Sequence, residues 1–126
     1  MKIYESAENY LEAILVLGRQ KGSVRSIDVA QHLDFSKPSV SRAVSLLREN
    51  GYILMDHCGM LTLTDAGREI AERIYERHTL FTKWLIELGV NPEVAAEDAC
   101  RIEHQISQES FEKIKGHIEN SLVDAE

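Results

Sequence analysis

Residues 26–51 read SIDVAQHLDFSKPSVSRAVSLLRENG, and their pattern is the strongest indication of the fold in this chain. It predicts a short helix over Ser26–Leu33, capped by its first serine, and a longer helix that begins near Ser36. Pro38 falls in the first turn of the longer helix, where its missing N–H costs little, and Asn50-Gly51 is a typical helix end. Two helices separated by a two-residue turn form the pattern of a helix-turn-helix.

The segments on either side extend this pair to a winged helix-turn-helix. Upstream, apolar residues at helical spacing predict a first helix over residues 6–18, with Ser6 as its cap. Downstream, Tyr52–Met55 and Met60–Thr64 predict two strands around a turn at Asp56–Gly59. We therefore expect the two strands to form a wing directly after the helix pair.

The second half of the chain predicts three more helices. A long helix is expected over about residues 64–88, a second over 91–106, and a third that Ser107 caps. We therefore expect a mainly α protein with a winged-helix domain over residues 1–68. An all-α domain is expected over residues 69–126, with the long helix linking the two.

The composition is that of a globular protein with one domain or two very small ones. Of 126 residues, 44% are hydrophobic and 28% are charged, and no apolar run approaches the length of a membrane span. Acidic residues near the N-terminus are not typical of a signal peptide. The two cysteines favour reduced thiols over a disulfide. We expect a cytoplasmic protein with no membrane partner.

The net charge of −7 is unevenly distributed. Residues 1–60 hold seven basic and seven acidic residues, so the whole excess of negative charge lies in residues 61–126. Between Ser36 and Arg48 there are three basic residues and no acid. A local cationic face matters more for phosphate contact than the sum over the chain, so the negative total does not exclude nucleic acid.

The longer helix of the pair is the candidate DNA-reading helix, because a recognition helix presents its N-terminal half to base edges. Arg42 can bond guanine through two hydrogen bonds, and Lys37 is better placed for a phosphate. The alternative is that the three-helix unit only packs a core or binds protein, but the wing favours double-stranded DNA. The candidate DNA-binding residues are Ser36, Lys37, Pro38, Ser39, Ser41 and Arg42.

The segment Cys100–His104 places a thiol, a carboxylate and an imidazole within one predicted helix. Residues three and four positions apart share a helix face, so Cys100 shares a face with Glu103 and with His104. These groups suit a first-row transition metal better than Mg²⁺ or Ca²⁺, which prefer all-oxygen ligands. The alternative is a surface Glu-His pair beside a buried cysteine, with no metal.

Five motifs occur along the chain in the order Ser6-Ala-Glu-Asn-Tyr-Leu-Glu12, Ser36-Lys-Pro-Ser-Val-Ser-Arg42, Leu63-Thr-Asp-Ala-Gly67, Arg77-His78 and Cys100-Arg-Ile-Glu-His104. With these motifs the chain resembles the diphtheria-toxin-repressor and manganese-transport-regulator family, over nearly all of residues 4–118. The resemblance implies a homodimeric, metal-dependent repressor of iron- or manganese-uptake genes. Its winged helix would bind a palindromic operator, and its second domain would bind metal and dimerise.

The same resemblance implies a metal site with ligands from three helices. The first helix would offer two ligands, the long helix one and the fifth helix three. Three of them also have a simpler interpretation: Asn9 could be a capping residue, Glu12 a solvated residue and His78 a packed core histidine. The implied ligands are Asn9, Glu12, His78, Cys100, Glu103 and His104.

The chain departs from each branch of that family in a different way. The acid at Glu12 matches the residue type of the manganese branch, and the cysteine at Cys100 matches that of the iron branch. Asn9 stands where the manganese branch usually has a carboxylate, and it can offer only a neutral carbonyl oxygen. Thr82 and Ala96 stand where an ancillary site of the iron branch needs an acid and a histidine. That ancillary site is therefore not expected.

The softness of the ligands predicts the metal. A thiolate with imidazoles favours Fe²⁺ over Mn²⁺, while the oxygen ligands keep Mn²⁺ as an alternative. Zn²⁺ and Co²⁺ are expected to bind in vitro. Because the chain ends at Glu126, we expect the short form of the family, without the C-terminal Src-homology-3-like domain.

Two other features of the sequence each have two interpretations. His57-Cys58 in the wing turn is either a second metal or redox site or an incidental pair, and an apolar stripe around Trp84 is either core or dimer interface. No phosphate loop, zinc-protease motif or Ser-His-Asp set is present, so neither an enzyme nor a small organic substrate is expected. The alternative functions are a metal-independent winged-helix regulator that responds to a small molecule, and a metal-buffering protein.

Overall fold

The structure, a computed structural model, describes residues 5–124, with side-chain burial for residues 6–120. The mainly α class with a two-stranded antiparallel wing is confirmed. No helix in the described part is long and apolar enough to cross a membrane. The elements in chain order are α1 (Glu5–Lys21), α2 (Ser26–Leu33), α3 (Lys37–Glu49), β1 (Ile53–Met55), β2 (Leu61–Leu63), α4 (Asp65–Glu87), α5 (Pro92–Ile102) and α6 (Gln108–Asp124).

The chain divides into two compact units, one ending at Arg73 and the other beginning at Ile74. The division falls within α4. The predicted domain boundary, between residues 68 and 69, lies near the start of the same helix and stays a prediction.

The core of the first unit joins α1, α2, α3 and the hairpin. Leu11, Val29 and Val40 come from the three helices, and each is fully buried. Ile53 and Leu61 add one buried side chain from each strand. Burying a side chain of this size contributes roughly 1.5–3 kcal/mol. This shared core therefore holds α3 and the wing against one another.

The wing is a short antiparallel hairpin in which Ile53 pairs with Leu63. The Asp56 side chain closes its turn, because Oδ1 accepts hydrogen bonds from the backbone N–H groups of Cys58 at 2.8 Å and Met60 at 2.9 Å. An aspartate that bonds its own turn in this way is a common turn former. The turn predicted over residues 56–59 is thus built by its first residue.

Two predicted helix caps are wrong. Ser6 lies inside α1, which already includes Glu5. Ser26 is the first residue of α2, and Arg25 occupies the cap position. The Arg25 backbone N–H donates to Asp28 Oδ2 at 2.9 Å. Asp28, an acid in the first turn of α2, therefore accepts the hydrogen bond from the backbone at the helix start, and no serine caps this helix.

The candidate DNA-reading helix begins as predicted. Ser36 is its N-cap, and Ser36 Oγ accepts a hydrogen bond from the Ser39 backbone N–H at 3.3 Å. Pro38 lies in the first turn, and the helix ends before Gly51, whose φ is 79°. The turn between α2 and α3 is formed by Asp34, which adopts the left-handed region at φ 57°.

The second unit packs α5 and α6 against the latter part of α4. Phe81, Ala99 and Phe111 come from these three helices, and each is buried. The rings of Phe81 and Phe111 meet edge to face, with centroids 5.9 Å apart. From the predicted apolar stripe, Trp84 packs against this core, whereas Leu88 is 64% exposed.

Helix α5 ends at Ile102, earlier than the predicted end near residue 106. Glu103 is the C-cap and keeps helical backbone angles, and His104 lies in the turn that follows. The Arg77 side chain donates hydrogen bonds to the carbonyls of Glu103 and Ile106. These two bonds give a partner to carbonyls that leave the helical hydrogen-bond pattern after α5.

Candidate metal centre and nucleic-acid interface

Four of the predicted ligands lie together in the second unit. Cys100 belongs to the last turn of α5, Glu103 caps that helix, and His104 follows it. One ligand atom from each of these three residues lies within 4.8 Å of the other two. His78 on α4 joins them, because its Nδ1 lies 2.9 Å from Glu103 Oε2.

Glu103 is the centre of this group. Its side chain is fully buried, with Oε2 against His78 and Oε1 3.2 Å from His104 Nε2. The second contact lacks hydrogen-bond geometry, so Oε1 accepts no hydrogen bond from the residues that the structure describes. A buried carboxylate oxygen without a hydrogen bond is costly. A cation at this position would remove that cost.

The electrostatics keep this carboxylate negative. Burial by itself would raise the pKa of Glu103, but the contacts with His104 and His78 outweigh it and hold the pKa below its ordinary value. Glu103 is therefore ionised near neutral pH. An ionised carboxylate is the form that a metal ion needs.

The observed burial of these side chains is the reverse of what the metal-free alternative predicts. That alternative expected a surface Glu-His pair beside a buried cysteine. Instead, the side chains of Glu103 and His104 are both fully buried, and Cys100 is exposed. The His78 side chain is one-third exposed. A buried acid between two imidazoles is typical of a functional site.

This donor set fits a divalent first-row transition metal. His78, Cys100, Glu103 and His104 could supply two imidazoles, a thiolate and a carboxylate, the donors that such ions prefer. Mg²⁺ and Ca²⁺ would find too few oxygen ligands here. Oε1 of Glu103, which accepts no hydrogen bond from the described residues, could bind such an ion.

Asn9 and Glu12 lie on α1, in the first unit. Both are half-buried, and three residues separate their positions on one helix, so they share a face. Each already has a polar interaction in the structure. Their role as metal ligands stays a prediction.

The predicted DNA-reading residues lie on the N-terminal part of α3 and its cap. Arg42 Nη2 donates to Ser39 Oγ at 3.4 Å, and Ser36 Oγ donates to the same atom at 2.8 Å. The first of these bonds places the Arg42 guanidinium beside Ser39 in the N-terminal part of α3. Ser39 is half-buried, and the exposed members of the set are Ser36, Lys37, Pro38, Ser41 and Arg42.

His57 and Cys58 are exposed in the wing turn. Among the described residues, no third metal-ligating side chain joins them in a cluster. The structure therefore adds nothing to the hypothesis of a second metal site in the wing.

Sequence reasoning missed Arg77 as a residue with a role of its own. Arg77 is 5% exposed and lies between the fully buried Ile74 and the buried Phe81 on one face of α4. The sequence does hold a signal for it, because a charged residue at a core position of an amphipathic helix needs buried partners.

Two family descriptions match the chain in sequence order. Residues 2–59 match the N-terminal DNA-binding domain of iron-dependent repressors. Residues 64–124 match the iron-dependent repressor metal-binding and dimerisation domain. The second match contains His78, Cys100, Glu103 and His104.

Individual relatives agree with these matches. The transcriptional regulator MntR of Escherichia coli O6:H1 is 34% identical over 111 residues, covering 88% of this chain and 72% of the relative. The solved manganese regulator SloR is 25% identical with a TM-score of 0.80, covering 94% of this chain and 55% of its own.

A manganese-dependent transcriptional repressor solved in complex with manganese is 30% identical, with a TM-score of 0.77. That match covers 88% of this chain and 51% of the solved one, so this chain spans about half the length of both solved regulators. The chain belongs to the iron-dependent repressor family of metal-dependent, DNA-binding transcriptional regulators.

Proposed function

We propose that this chain is a cytoplasmic repressor that binds the operators of metal-uptake genes when it holds a divalent transition metal. The observation that carries the proposal is the buried Glu103 carboxylate, which lies between two imidazoles and near a thiol. We propose no catalytic activity as part of this function, and the family descriptions that match are those of repressors.

The proposed site draws on both units. His78, Cys100, Glu103 and His104 would bind the ion from the second unit, and Asn9 and Glu12 would bind it from α1. When bound, the ion supplies a Lewis-acidic cross-link between these side chains. Because α1 shares its core with α3, such a link would fix the recognition helix relative to the dimerising part.

Fe²⁺ is the proposed physiological ion, with Mn²⁺ as the alternative. The thiol of Cys100 and two imidazoles make a softer donor set than Mn²⁺ prefers. The carboxylates of Glu12 and Glu103 and the names of the manganese regulators among the relatives support Mn²⁺. Zn²⁺ and Co²⁺ would also bind in vitro, because both accept thiolate and imidazole.

The family descriptions include DNA binding and dimerisation, and we extend these to a dimer on a palindromic operator for this chain. In a symmetric dimer, the two copies of α3 would read half-sites about one helical turn apart, roughly 34 Å. Metal binding shifts the protein toward the arrangement that fits DNA only if the six ligands bind metal more tightly in that arrangement than in the others.

The test is an anaerobic titration of Fe²⁺, Mn²⁺ and Zn²⁺ while binding to the protein's own promoter is followed. We expect Cys100→Ser and Glu103→Gln to weaken metal-dependent operator binding by about tenfold or more. Cys58→Ser and Glu97→Gln make the same chemical changes at exposed positions outside the site and should respond like wild type. An unchanged metal response in both site variants would refute the assignment of the site.

The same assay separates the two alternative functions. Operator binding that is unaffected by a chelator would favour a metal-independent regulator. If the protein only buffers metal, it would still bind metal but would show no operator affinity, even before Arg42 is replaced. Arg42→Ala should lower operator affinity by about 1–3 kcal/mol if Arg42 bonds guanine. Arg48→Ala, at the far end of α3, removes the same charge without a guanine contact and should lower operator affinity less.

A further inference from the structure

We infer that Arg77 is a positioning residue for the metal centre, because its guanidinium holds the backbone that carries Glu103 and His104. This inference rests on the proposed metal-binding function of that site. It assigns a role to a buried cation that lies next to His78 in sequence but belongs to the core face of α4.

The burial of Arg77 calls for a reason. A charged side chain that is only 5% exposed is expensive unless its donors are bonded. The guanidinium carbon lies 5.2 Å from the centre of the Phe111 ring, so the group also stacks on the core of the second unit. A hydrophobic residue would fill the same space without this cost, which points to a role in placement.

The hydrogen bonds of Arg77 span the whole connection between α5 and α6. Nη1 donates to the carbonyl oxygen of Glu103 at 3.0 Å and to that of Ile106 at 2.7 Å. Nη2 donates to Oε1 of Gln108, the first residue of α6, at 2.9 Å. One planar group therefore bonds both ends of the turn that contains His104.

A second bond anchors the far side of this network. Because Gln108 Oε1 accepts from Arg77, its amide nitrogen is left to donate, and it does so to Glu112 Oε1 at 3.2 Å. The Gln108 side chain is therefore held at both of its polar atoms. This fixes the start of α6 against Arg77.

The link to the metal centre runs through Glu103 itself. Arg77 bonds the main-chain carbonyl of Glu103, while the carboxylate of the same residue contacts His78, the next residue after Arg77 on α4. One stretch of α4 thus places both a ligand and the backbone of its partner ligands. Metal coordination tolerates errors of only about 0.2 Å, so this placement matters for affinity.

The test is a Co²⁺ titration of the whole chain without DNA, followed by the absorption bands of Co²⁺ and of its thiolate. Arg77→Lys keeps the charge but loses the planar fork, and Arg77→Met keeps only the stem. We expect Arg77→Lys to weaken Co²⁺ binding by about 10–100-fold, Arg77→Met to weaken it at least as much, and both to shift the bands at saturation. Arg101→Met, at an arginine that is 76% exposed on α5, should bind like wild type.

A purely structural role would lower the unfolding temperature of the metal-free chain and leave the saturated Co²⁺ spectrum unchanged, and this result would overturn the inference. Wild-type affinity in folded Arg77→Lys would overturn it too. If neither Arg77 variant folds, Gln108→Ala is the decisive variant. We expect it to bind Co²⁺ several-fold more weakly and to shift the absorption bands. Wild-type affinity and bands in this variant would contradict the inference. If wild type itself binds no Co²⁺, the proposed function fails and this inference fails with it.

Discussion

Because Gly67 has no side chain, the start of α4 can approach the wing closely. A Cβ built at Gly67 would lie 2.0 Å from the carbonyl oxygen of Tyr52. That oxygen also accepts a hydrogen bond from the Thr64 backbone N–H at 3.1 Å. The carbonyl therefore cannot move away without breaking the contact that joins the strand region to the start of α4.

We predict that Gly67→Ala lowers the free energy of unfolding by about 1–3 kcal/mol, because overpacking forces backbone shifts. Urea unfolding of the metal-free chain measures this. Gly116→Ala in α6 is the control, since nothing lies within 4 Å of a Cβ there. It should stabilise the helix by about 0.5–1 kcal/mol. Equal stability of Gly67→Ala and wild type would disprove the close approach.

At the scale of an element, α2 depends on one acid in its first turn. Asp28 accepts a hydrogen bond from the Arg25 backbone N–H at 2.9 Å and from Lys21 Nζ at 2.6 Å. The bond from Lys21 and the bond from Arg25 lower the pKa of Asp28 below its ordinary value. The ionised form is therefore the one that stabilises the helix start.

The sign of the pH dependence follows from that shift. A carboxyl with a depressed pKa in the folded state contributes stability above its unfolded pKa, near 3.8, and loses it as pH falls through the lower folded pKa. We predict that Asp28→Asn is less stable than wild type at pH 7 and that the difference shrinks below about pH 4. Thermal unfolding across pH measures it. Glu69→Gln, at an exposed acid of α4, should show a smaller difference at pH 7, and a constant difference for Asp28→Asn would contradict the prediction.

At the scale of the whole molecule, the second unit exposes apolar side chains that a dimer could cover. The family description assigns dimerisation to the region from residue 64 to residue 124. Within the described part of that region, Leu88 is 64% exposed. Three other large apolar residues there are also exposed, namely Tyr75, Ile86 and Val94.

We predict that Leu88→Asp weakens dimerisation by about 10–100-fold, the equivalent of losing roughly 1.5–3 kcal/mol of side-chain burial. Sedimentation equilibrium gives the dissociation constant. Leu54→Asp is the matched control, because Leu54 is a similarly exposed leucine, at 61%, in the DNA-binding unit. A larger effect of Leu54→Asp than of Leu88→Asp would place the dimer interface elsewhere.

The parts of the fold that depend on residues close together in sequence could be predicted. The start of α3 at Ser36, its Pro38 and its end before Gly51 follow from capping and backbone preferences within a single turn. The caps at Ser6 and Ser26 were wrong because a serine near a helix start is only a weak signal of the cap position. Ser6 lies inside α1, and at α2 the Asp28 carboxylate accepts from the backbone N–H of Arg25, so this helix starts without a serine cap.

Local periodicity and motif spacing were enough to predict the winged helix-turn-helix, the family and the residue types of the proposed metal centre. The burial of Glu103 between His78 and His104 and the end of α5 at Ile102 were visible only in the folded structure. Both depend on Arg77 and His78, which lie more than twenty residues away in sequence. Contacts between residues so far apart form only when α4 and α5 pack, and no local pattern encodes that packing.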